Sequence, residues 1–244
     1  NLTVGGGRGF GGGLGQLGGA VADSLRISFF GMESTGGHVA VLFDCSRSGM
    51  VVFGRTRTEL IKTIDQMADA ASARLAVIYF GGADGLRGTG KKDPTKSDFW
   101  FPRGVSTGKW LEPEAMRKVQ GQLEAVDASK FVNISQQKEY NGFIFKKGTN
   151  YWGALNAAYK MKPTPDTIYL IIEPNVAFPD EKTVRASYEV FKKYGRSKPE
   201  NTTINFIAGR APKKDTDAAM KLMLNLLHGG DLKSSDIRKQ IIYS

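Results

Sequence analysis

The sequence predicts an α/β protein with a doubly wound, mostly parallel central sheet and helices on both of its faces. Two observations predict this class. Short runs of aliphatic and aromatic residues alternate with longer segments whose apolar residues recur at helical spacing, from residue 38 to residue 228. Several of the short runs are apolar throughout, as expected of strands that are covered on both faces of a parallel sheet. The 244 residues are sufficient for one large domain.

The chain opens with a glycine-rich segment that we expect to act as a flexible tether over residues 1–24. Glycine dominates residues 5–19, GGGRGFGGGLGQLGG, and ordering so many glycines costs backbone entropy. An RGG-like nucleic-acid segment is the alternative, but the tract holds a single arginine, Arg8. The domain itself is predicted over residues 25–244, and its first strand, edge-like, over residues 25–32, LRISFFGM.

The first half of the domain contains two predicted buried strands with a helix between them. Residues 38–43, HVAVLF, form a continuous apolar run that is typical of a central parallel strand. Apolar residues at helical spacing predict a helix over residues 55–73, and Thr56 with Glu59 fits a capping box at its start. Residues 74–80, RLAVIYF, predict the second buried strand.

The second half continues the same alternation after a long polar excursion over residues 81–112. This excursion is rich in glycine, lysine and aromatic residues. Pro113 favours the first turn of the helix that follows, and Gly229 favours the end of the last helix. The predicted helices are residues 113–126, 150–161, 180–195 and 215–230, and the predicted strands are residues 167–172 and 203–208.

The composition is basic and nearly free of cysteine. The 34 Lys and Arg residues exceed the 24 Asp and Glu residues, which gives a formal net charge of +10. Such a charge suits an acidic protein surface, a nucleic acid or an anionic membrane face, although scattered basic residues also simply favour solubility. Cys45 is the single cysteine, so no disulfide forms within the chain. No apolar run approaches the roughly 18–20 residues of a membrane span.

A polar motif follows the first buried strand at the point where that strand ends. In DCSRS, the carboxylate of Asp44 and the hydroxyls of Ser46 and Ser48 occupy alternate positions. If the chain stays extended there, a period of two points these three side chains to one side, with Cys45 toward the core and Arg47 toward solvent. The alternative is a polar turn that also caps the next helix.

Two further segments bring oxygen-bearing side chains to the same part of the predicted fold. Thr149 precedes the helix that begins YWGAL, and Glu173 follows the strand TIYLII. Open parallel sheets bind ligands beyond the carboxyl ends of their strands, which is where Asp44 also lies. If these strand ends are neighbours, the side chains surround one small volume. Carboxylate and hydroxyl oxygens suit a hard divalent cation, above all Mg²⁺.

The order DCSRS, helix, GTNYWGAL and TIYLIIEPN resembles a von Willebrand factor type A domain over about residues 38–230. That family has a Rossmann-like three-layer fold. Its metal-ion-dependent adhesion site uses Asp-x-Ser-x-Ser, a Thr from a second loop and an acid from a third. The present sequence departs from the family where Glu173-Pro174 replaces part of the usual Thr-Asp-Gly, and where Gly49 separates Ser48 from Met50. The metal ligands that the resemblance implies are Asp44, Ser46, Ser48, Thr149 and Glu173.

The resemblance implies a non-catalytic module that binds a protein partner with the help of Mg²⁺, or of Mn²⁺ or Ca²⁺. An acidic residue of that partner would complete the coordination, and the positive net charge of the chain favours such a ligand. Similar bacterial proteins sit on an upstream membrane anchor, and Phe29-Phe30-Gly31 behind a glycine-rich tether resembles them. We therefore expect an extracytoplasmic or membrane-associated protein, with a cytoplasmic location as the alternative. The residues expected to contact the partner are Arg47, Asn150, Asn175, Trp100 and Trp110.

Two other classes of function stay open at this point. A hydrolase or phosphoryl-transfer enzyme on the same fold would need a nucleophile beside Asp44, for which Cys45 is the candidate. Residues 85–92, GLRGTGKK, nearly match a phosphate-binding loop, but Lys92 replaces the hydroxyl that would hold Mg²⁺. A nucleic-acid binder would use the basic and aromatic residues of the excursion, such as Trp100. A loop packed by its own aromatic rings is the interpretation that we favour there, which makes nucleic acid the less favoured partner.

Overall fold

The structure, a computed structural model, describes most of the predicted domain. It describes residues 26–35, 37–46, 48–69, 73–81, 98–100, 110–126, 139–140, 143–144 and 148–243. The predicted tether, Arg47, most of the polar excursion and the near match to a phosphate-binding loop lie outside the described residues. What the sequence predicts for those segments therefore stays a prediction.

The described strands form one large sheet and two small hairpins. The large sheet is confirmed as mostly parallel: five of its strands run in one direction, and a short edge strand pairs antiparallel to its neighbour. In chain order the strands are β1 (Arg26–Phe29), β2 (Met32–Thr35), β3 (His38–Asp44), β4 (Arg74–Gly81), β5 (Asp98–Trp100), β6 (Glu139–Tyr140), β7 (Phe143–Ile144), β8 (Thr167–Ile172), β9 (Thr203–Ala208) and β10 (Ile241–Tyr243). The large sheet has the order β10-β9-β8-β3-β4-β5.

Helices cover both faces of this sheet, as the sequence predicts. In chain order they are α1 (Met50–Ala68), α2 (Pro113–Glu124), α3 (Tyr151–Tyr159), α4 (Pro174–Ala177), α5 (Glu181–Tyr194), α6 (Lys214–Leu227) and α7 (Ser234–Lys239). Val39, Val41 and Phe43 of β3 pack in one core with residues of α1 and α2. Ala40 and Leu42 pack in a second core with residues of α3, α5 and α6. Because side chains alternate between the faces of a strand, both faces of β3 are apolar and its sequence is an uninterrupted apolar run.

The segment predicted as one edge-like strand is instead part of a hairpin. Phe30 and Gly31 turn the chain with φ angles of 52° and 77°, which is the geometry of a tight hairpin turn. As a result β1 pairs with β2 and not with the large sheet. Phe29 anchors the hairpin, because its ring is buried and its centroid lies 4.7 Å from that of Tyr169.

The first helix, α1, begins earlier than predicted. It starts at Met50, directly after Gly49, so the capping box predicted from Thr56 and Glu59 is wrong. Thr56 lies inside the helix, and its hydroxyl donates to the carbonyl of Phe53. Phe53 is buried in the core beneath the sheet, and this burial stabilises the first turns of the helix. The start of α1 therefore adjoins the DCSRS motif.

The other predicted helices and strands are present, with small differences at their ends. Pro113 occupies the first turn of α2, as expected. The short elements α4, α7, β5, β6, β7 and β10 are additions, because two to six residues are too few to show a period in the sequence. Among the described helices, none combines the length and the apolar character that crossing a membrane requires.

The parallel strands give the sheet two functionally different edges. The strands β3, β4, β8 and β9 end side by side at what we call the carboxyl edge, and they begin at the amino edge. Each helix that connects two parallel strands returns the chain from the first edge to the second. The helices α3, α5 and α6 therefore end near the amino edge, while the motifs singled out in the sequence follow strands that end at the carboxyl edge.

Candidate functional site

The DCSRS motif forms a compact loop at the end of β3. Asp44 is the last residue of that strand and is buried. Its Oδ1 accepts a hydrogen bond of 2.8 Å from the backbone N–H of Ser46. The hydroxyl oxygens of Ser46 and Ser48 lie 2.9 Å apart, and the backbone N–H of Gly49 donates to Ser46 Oγ at 3.0 Å. The loop is thus a tight turn that also gathers one carboxylate and two hydroxyls.

Gly49 is required by the close return of this loop onto its own start. A Cβ atom built at Gly49 would lie 2.5 Å from the carbonyl oxygen of Asp44 and 2.7 Å from its Cγ. Any side chain there would push Asp44 out of place, because non-bonded carbon and oxygen atoms do not approach so closely. The glycine that separates Ser48 from Met50, a departure from the family pattern, therefore has a steric reason in this chain.

Glu173 joins this loop from the neighbouring strand β8. Its backbone N–H donates to Asp44 Oδ2 at 3.4 Å, which links the ends of β3 and β8. Its side chain is 1% exposed, and Oε1 accepts three hydrogen bonds. These come from the backbone N–H of Asn175 at 3.2 Å, the Asn175 side-chain amide at 3.1 Å and Arg210 Nε at 3.0 Å. Within the described part of the chain these hydrogen bonds all go to Oε1 and none goes to Oε2.

Thr149 comes to the same edge at the start of α3. The ring of Tyr151, two residues later, lies 5.2 Å from the ring of Phe178, which follows Glu173 after the end of β8. Thr149 is 7% exposed, and its Oγ1 is buried with no hydrogen-bond partner among the described residues. An unpaired buried hydroxyl costs about 1–3 kcal/mol, so this atom calls for a partner that the described residues do not supply.

The carboxylate of Asp44 is electrostatically unusual. Burial raises its pKa to about 6, while hydrogen bonds from Ser46 and from the Glu173 backbone partly oppose the shift, and the nearby charge of Glu173 adds to it. At neutral pH Asp44 is therefore mostly ionised but held in an unfavourable environment. A positive charge placed beside it would relieve both the desolvation and the repulsion between the two carboxylates.

Cys45 points into the core, as alternation along the strand predicts. It is fully buried and belongs to the cluster that contains Phe43 and Phe53. Burial, with the nearby charge of Asp44 as a smaller cause, raises the pKa of its thiol well above the ordinary value. A thiol that is both inaccessible and protonated is a poor nucleophile.

The oxygen atoms of these side chains are of the type that a hard cation prefers, but only two of the side chains are carboxylates. Among the described residues there is no group of three or more His, Cys, Asp and Glu side chains arranged to hold a metal. The motif instead combines two carboxylates, Asp44 and Glu173, with hydroxyls. The unpaired Oγ1 of Thr149 is the observation that favours a bound group, because a hard cation takes neutral hydroxyl oxygens as ligands.

The residues expected to contact a partner differ in how accessible their side chains are. Asn150 is 1% exposed, which keeps its side chain from a partner's surface. Asn175 is half-buried and its amide already bonds Glu173 and the backbone of Lys213. Arg47 lies outside the described residues, and for Trp100 the structure describes the backbone, which pairs with Tyr79 near the carboxyl edge.

Trp110 belongs to the opposite edge. Its ring centroid lies 5.0 Å from that of His38, and its Nε1 donates to the carbonyl of Pro163 at 3.1 Å. His38 begins β3 and Asp44 ends it, so the rise of about 3.3 Å per residue separates them by roughly 20 Å. Trp110 therefore lies far from the proposed metal site, so it does not contact a partner that is bound there, because its position in the sequence excursion does not indicate the edge at which it lies.

Arg210 is the member of the site that the sequence analysis missed. It lies two residues beyond the end of β9 and forms an ion pair with Glu173, with Nε and Oε1 3.0 Å apart. Its position just after a strand end was a usable signal, since Asp44 and Glu173 were found by that rule. The sequence does not show, however, that the side chain of Arg210 at the end of β9 would pair with Glu173 at the end of β8.

Comparison with known proteins does not identify the chain: neither a protein-family model nor a curated protein matches it. The function therefore has to be argued from the side chains at the carboxyl edge, since an α/β sheet of this kind serves many unrelated functions.

The raised pKa of Asp44 predicts a distinctive dependence of stability on pH. Because the folded-state pKa of about 6 exceeds the ordinary value of 3.8, the folded protein binds more protons between these values. Stability is therefore lost as the pH rises through this window, by about 3 kcal/mol in the metal-free protein at roughly 1.4 kcal/mol per unit. Asp44→Asn should remove this loss, as measured by urea unfolding in EDTA between pH 4 and pH 7.

A control of opposite sign is available at Asp180. Hydrogen bonds from Thr183 lower the pKa of that exposed carboxyl, so Asp180 contributes stability that is lost as the pH falls through its folded-state pKa. Asp180→Asn should leave the loss of stability between pH 4 and pH 6 in place. Equal pH profiles for the parent and Asp44→Asn would contradict the placement of Asp44.

Proposed function

We propose that this protein is a non-catalytic, divalent-cation-assisted protein-binding module, similar to a von Willebrand factor type A domain. One observation carries the proposal. The buried Asp44 loop presents two hydroxyls next to a second buried acid from β8, and Thr149 at the start of α3 has a buried hydroxyl without a partner among the described residues. That combination suits Mg²⁺ or Mn²⁺ better than it suits a polar turn, since a turn needs neither the second acid nor an unpaired threonine.

The proposed ligands would leave the cation strongly electrophilic. Ser46, Ser48 and Thr149 would supply neutral oxygens, and the carboxylates of Asp44 and Glu173 would hold water molecules beside them. When bound, the cation supplies a positive charge at the rim of the sheet that favours a carboxylate as its last ligand. The partner is therefore a protein that offers an exposed Asp or Glu.

Arg210 modulates the charge of the proposed site. Its side chain is 51% exposed, so the guanidinium faces solvent as well as the buried Glu173. In the metal-free protein it balances part of the negative charge of the two carboxylates. With a cation bound, it would repel that cation and at the same time add a second positive group for an acidic partner.

The observations on the described residues give less support to the enzyme alternative. The candidate nucleophile Cys45 is fully buried and its pKa is raised. The basic aromatic excursion, on which a nucleic-acid function would depend, lies almost wholly outside the described residues. A specific observation therefore supports the function of a binding module, and none on the described residues supports the two alternatives.

Thr149→Val tests the proposal with little disturbance of the fold. The change keeps the shape of the side chain and removes a hydroxyl that has no partner among the described residues, so the metal-free variant should be at least as stable as the parent. For a dissociation constant of about 0.1 mM, 10 mM Mg²⁺ should stabilise the parent by about 2.7 kcal/mol. Scanning calorimetry should show a rise in Tm of about 5–10 °C for the parent and little for the variant.

The matched control is Thr63→Val. Thr63 is also buried, but it lies within α1 and its hydroxyl donates to the carbonyl of Glu59. This variant should be less stable than the parent in EDTA and yet keep the full rise in Tm with Mg²⁺. A parent protein that gains no stability from millimolar Mg²⁺ or Mn²⁺ would overturn the proposed function and leave the fold unaffected.

Removing the charge of Arg210 should tighten cation binding. Arg210→Gln relieves the repulsion between two positive charges a few ångströms apart, which we expect to lower the dissociation constant for Mn²⁺ by about three- to tenfold. Titration followed by electron paramagnetic resonance of free Mn²⁺ measures this constant directly. Arg185 is an exposed arginine on α5, and Arg185→Gln should leave the dissociation constant unchanged. A larger dissociation constant for Arg210→Gln than for the parent would contradict the assignment.

A further inference from the structure

A cavity of about 560 Å³ lies at the amino edge, where α3, α5 and α6 end. Its wall is formed by residues from the last turns of these helices and by the segment that leads into β9. The lining residues that matter below are Tyr159, Phe191, Arg196, Lys198, Leu227 and His228. Its volume falls within the range of about 300–1,000 Å³ that is common for small-molecule sites. The proposed cation site is at the opposite edge of the sheet, so the two are independent.

Two polar atoms of the lining residues are buried without hydrogen-bond partners. Tyr159 is 2% exposed, and within the described part of the chain its hydroxyl contacts no donor or acceptor. The same holds for Nε2 of His228. Buried polar groups are normally paired, and each exception needs an explanation such as a water molecule or a ligand. Both of these exceptions among the described residues belong to side chains that line this one cavity.

The ring of His228 is uncharged at neutral pH. Burial lowers the pKa of His228 to about 4, and the nearby charge of Lys198 lowers it further, against a hydrogen bond with the Ile204 backbone that raises it. An uncharged ring can serve a ligand as a hydrogen-bonding group without adding a charge. The positive charge of this cavity therefore comes from its lysines and arginine.

The charges around the cavity are mostly positive. Lys192, Arg196 and Lys198 line it, against a single acid, Glu200. Two of the cations are already engaged. Lys192 pairs with Glu189 at 2.8 Å, and Lys198 Nζ donates to three backbone carbonyls of its own segment. The guanidinium of Arg196 has neither an ion pair nor a hydrogen bond among the described residues, whereas its backbone N–H donates to Asn156 Oδ1.

Part of the wall is apolar. Phe191 and Leu227 are buried, and the Phe191 ring is fixed by stacking on Trp152 with centroids 4.6 Å apart. Rigid aromatic and aliphatic walls with a few fixed polar groups are typical of sites for small organic molecules. The combination here is an apolar interior, an unpaired buried tyrosine hydroxyl and one unengaged guanidinium at the rim.

We propose that this cavity binds a small organic anion, a carboxylate or sulfonate with an apolar body. The apolar body packs on Phe191, Leu227 and the ring of Tyr159. The anionic group pairs with the guanidinium of Arg196, and a polar atom of the ligand gives the Tyr159 hydroxyl the partner that it lacks.

The test uses two fluorescent probes that differ in charge. 1-Anilinonaphthalene-8-sulfonate carries an anionic group on an apolar body, and N-phenyl-1-naphthylamine has the same rings without the charge. Titrated into the full chain, the sulfonate should bind at one site per chain and at least tenfold more tightly than the neutral probe. Equal affinity for the two probes would overturn the choice of an anion.

Two variants locate the bound probe. Arg196→Gln should weaken sulfonate binding about tenfold through loss of a charge-assisted contact. Tyr159→Phe should weaken it about fivefold without lowering the Tm, since the hydroxyl has no partner in the part of the chain that the structure describes. The controls Arg238→Gln and Tyr194→Phe change exposed residues outside the lining and should bind as the parent does. Parent-like binding by both Arg196→Gln and Tyr159→Phe would show that the cavity is not the site.

Discussion

Two buried acids, Asp44 and Glu173, follow one another across the ends of neighbouring parallel strands, and this is the constraint on which the proposed site depends. The backbone N–H of Glu173 donates to the Asp44 carboxylate across these strand ends. Two adjacent carboxylates in a buried environment are unfavourable, so the surrounding structure has to compensate for them. It does so with backbone N–H groups from Ser46 and Asn175 and with the guanidinium of Arg210.

These hydrogen bonds and this ion pair do not fully offset the cost of burying the polar groups at the site. The pKa of Asp44 stays raised in spite of its hydrogen bonds, and the hydroxyl of Thr149 has no partner among the described residues. Both are conditions that a divalent cation would relieve. At the opposite edge, the hydroxyl of Tyr159, which also lacks a partner in the described part of the chain, belongs to the wall of the cavity. In each case the unpaired atom, not the overall fold, points to a ligand.

Sequence reasoning worked where a local rule was enough. An apolar run identified β3 and β8, and the rule that ligands bind at carboxyl ends then singled out Asp44 and Glu173. It failed where the answer depends on packing across the chain. The start of α1 is decided by the burial of Phe53, and the pairing of Arg210 with Glu173 depends on the order of strands in the sheet. Trp110 was misplaced because its sequence neighbours do not indicate an edge of the sheet.

The central claim is that one cation is held where the 44–48 loop, Thr149 and Glu173 meet, and paramagnetic broadening by Mn²⁺ tests it most directly. In a ¹H–¹⁵N spectrum of the full chain, substoichiometric Mn²⁺ should first broaden the amide signals of Ser46, Thr149 and Glu173. The signals of residues at the amino edge, such as His38 and Gly229, should stay sharp. Broadening that is centred elsewhere, or that spreads evenly over exposed acidic residues, would contradict the account.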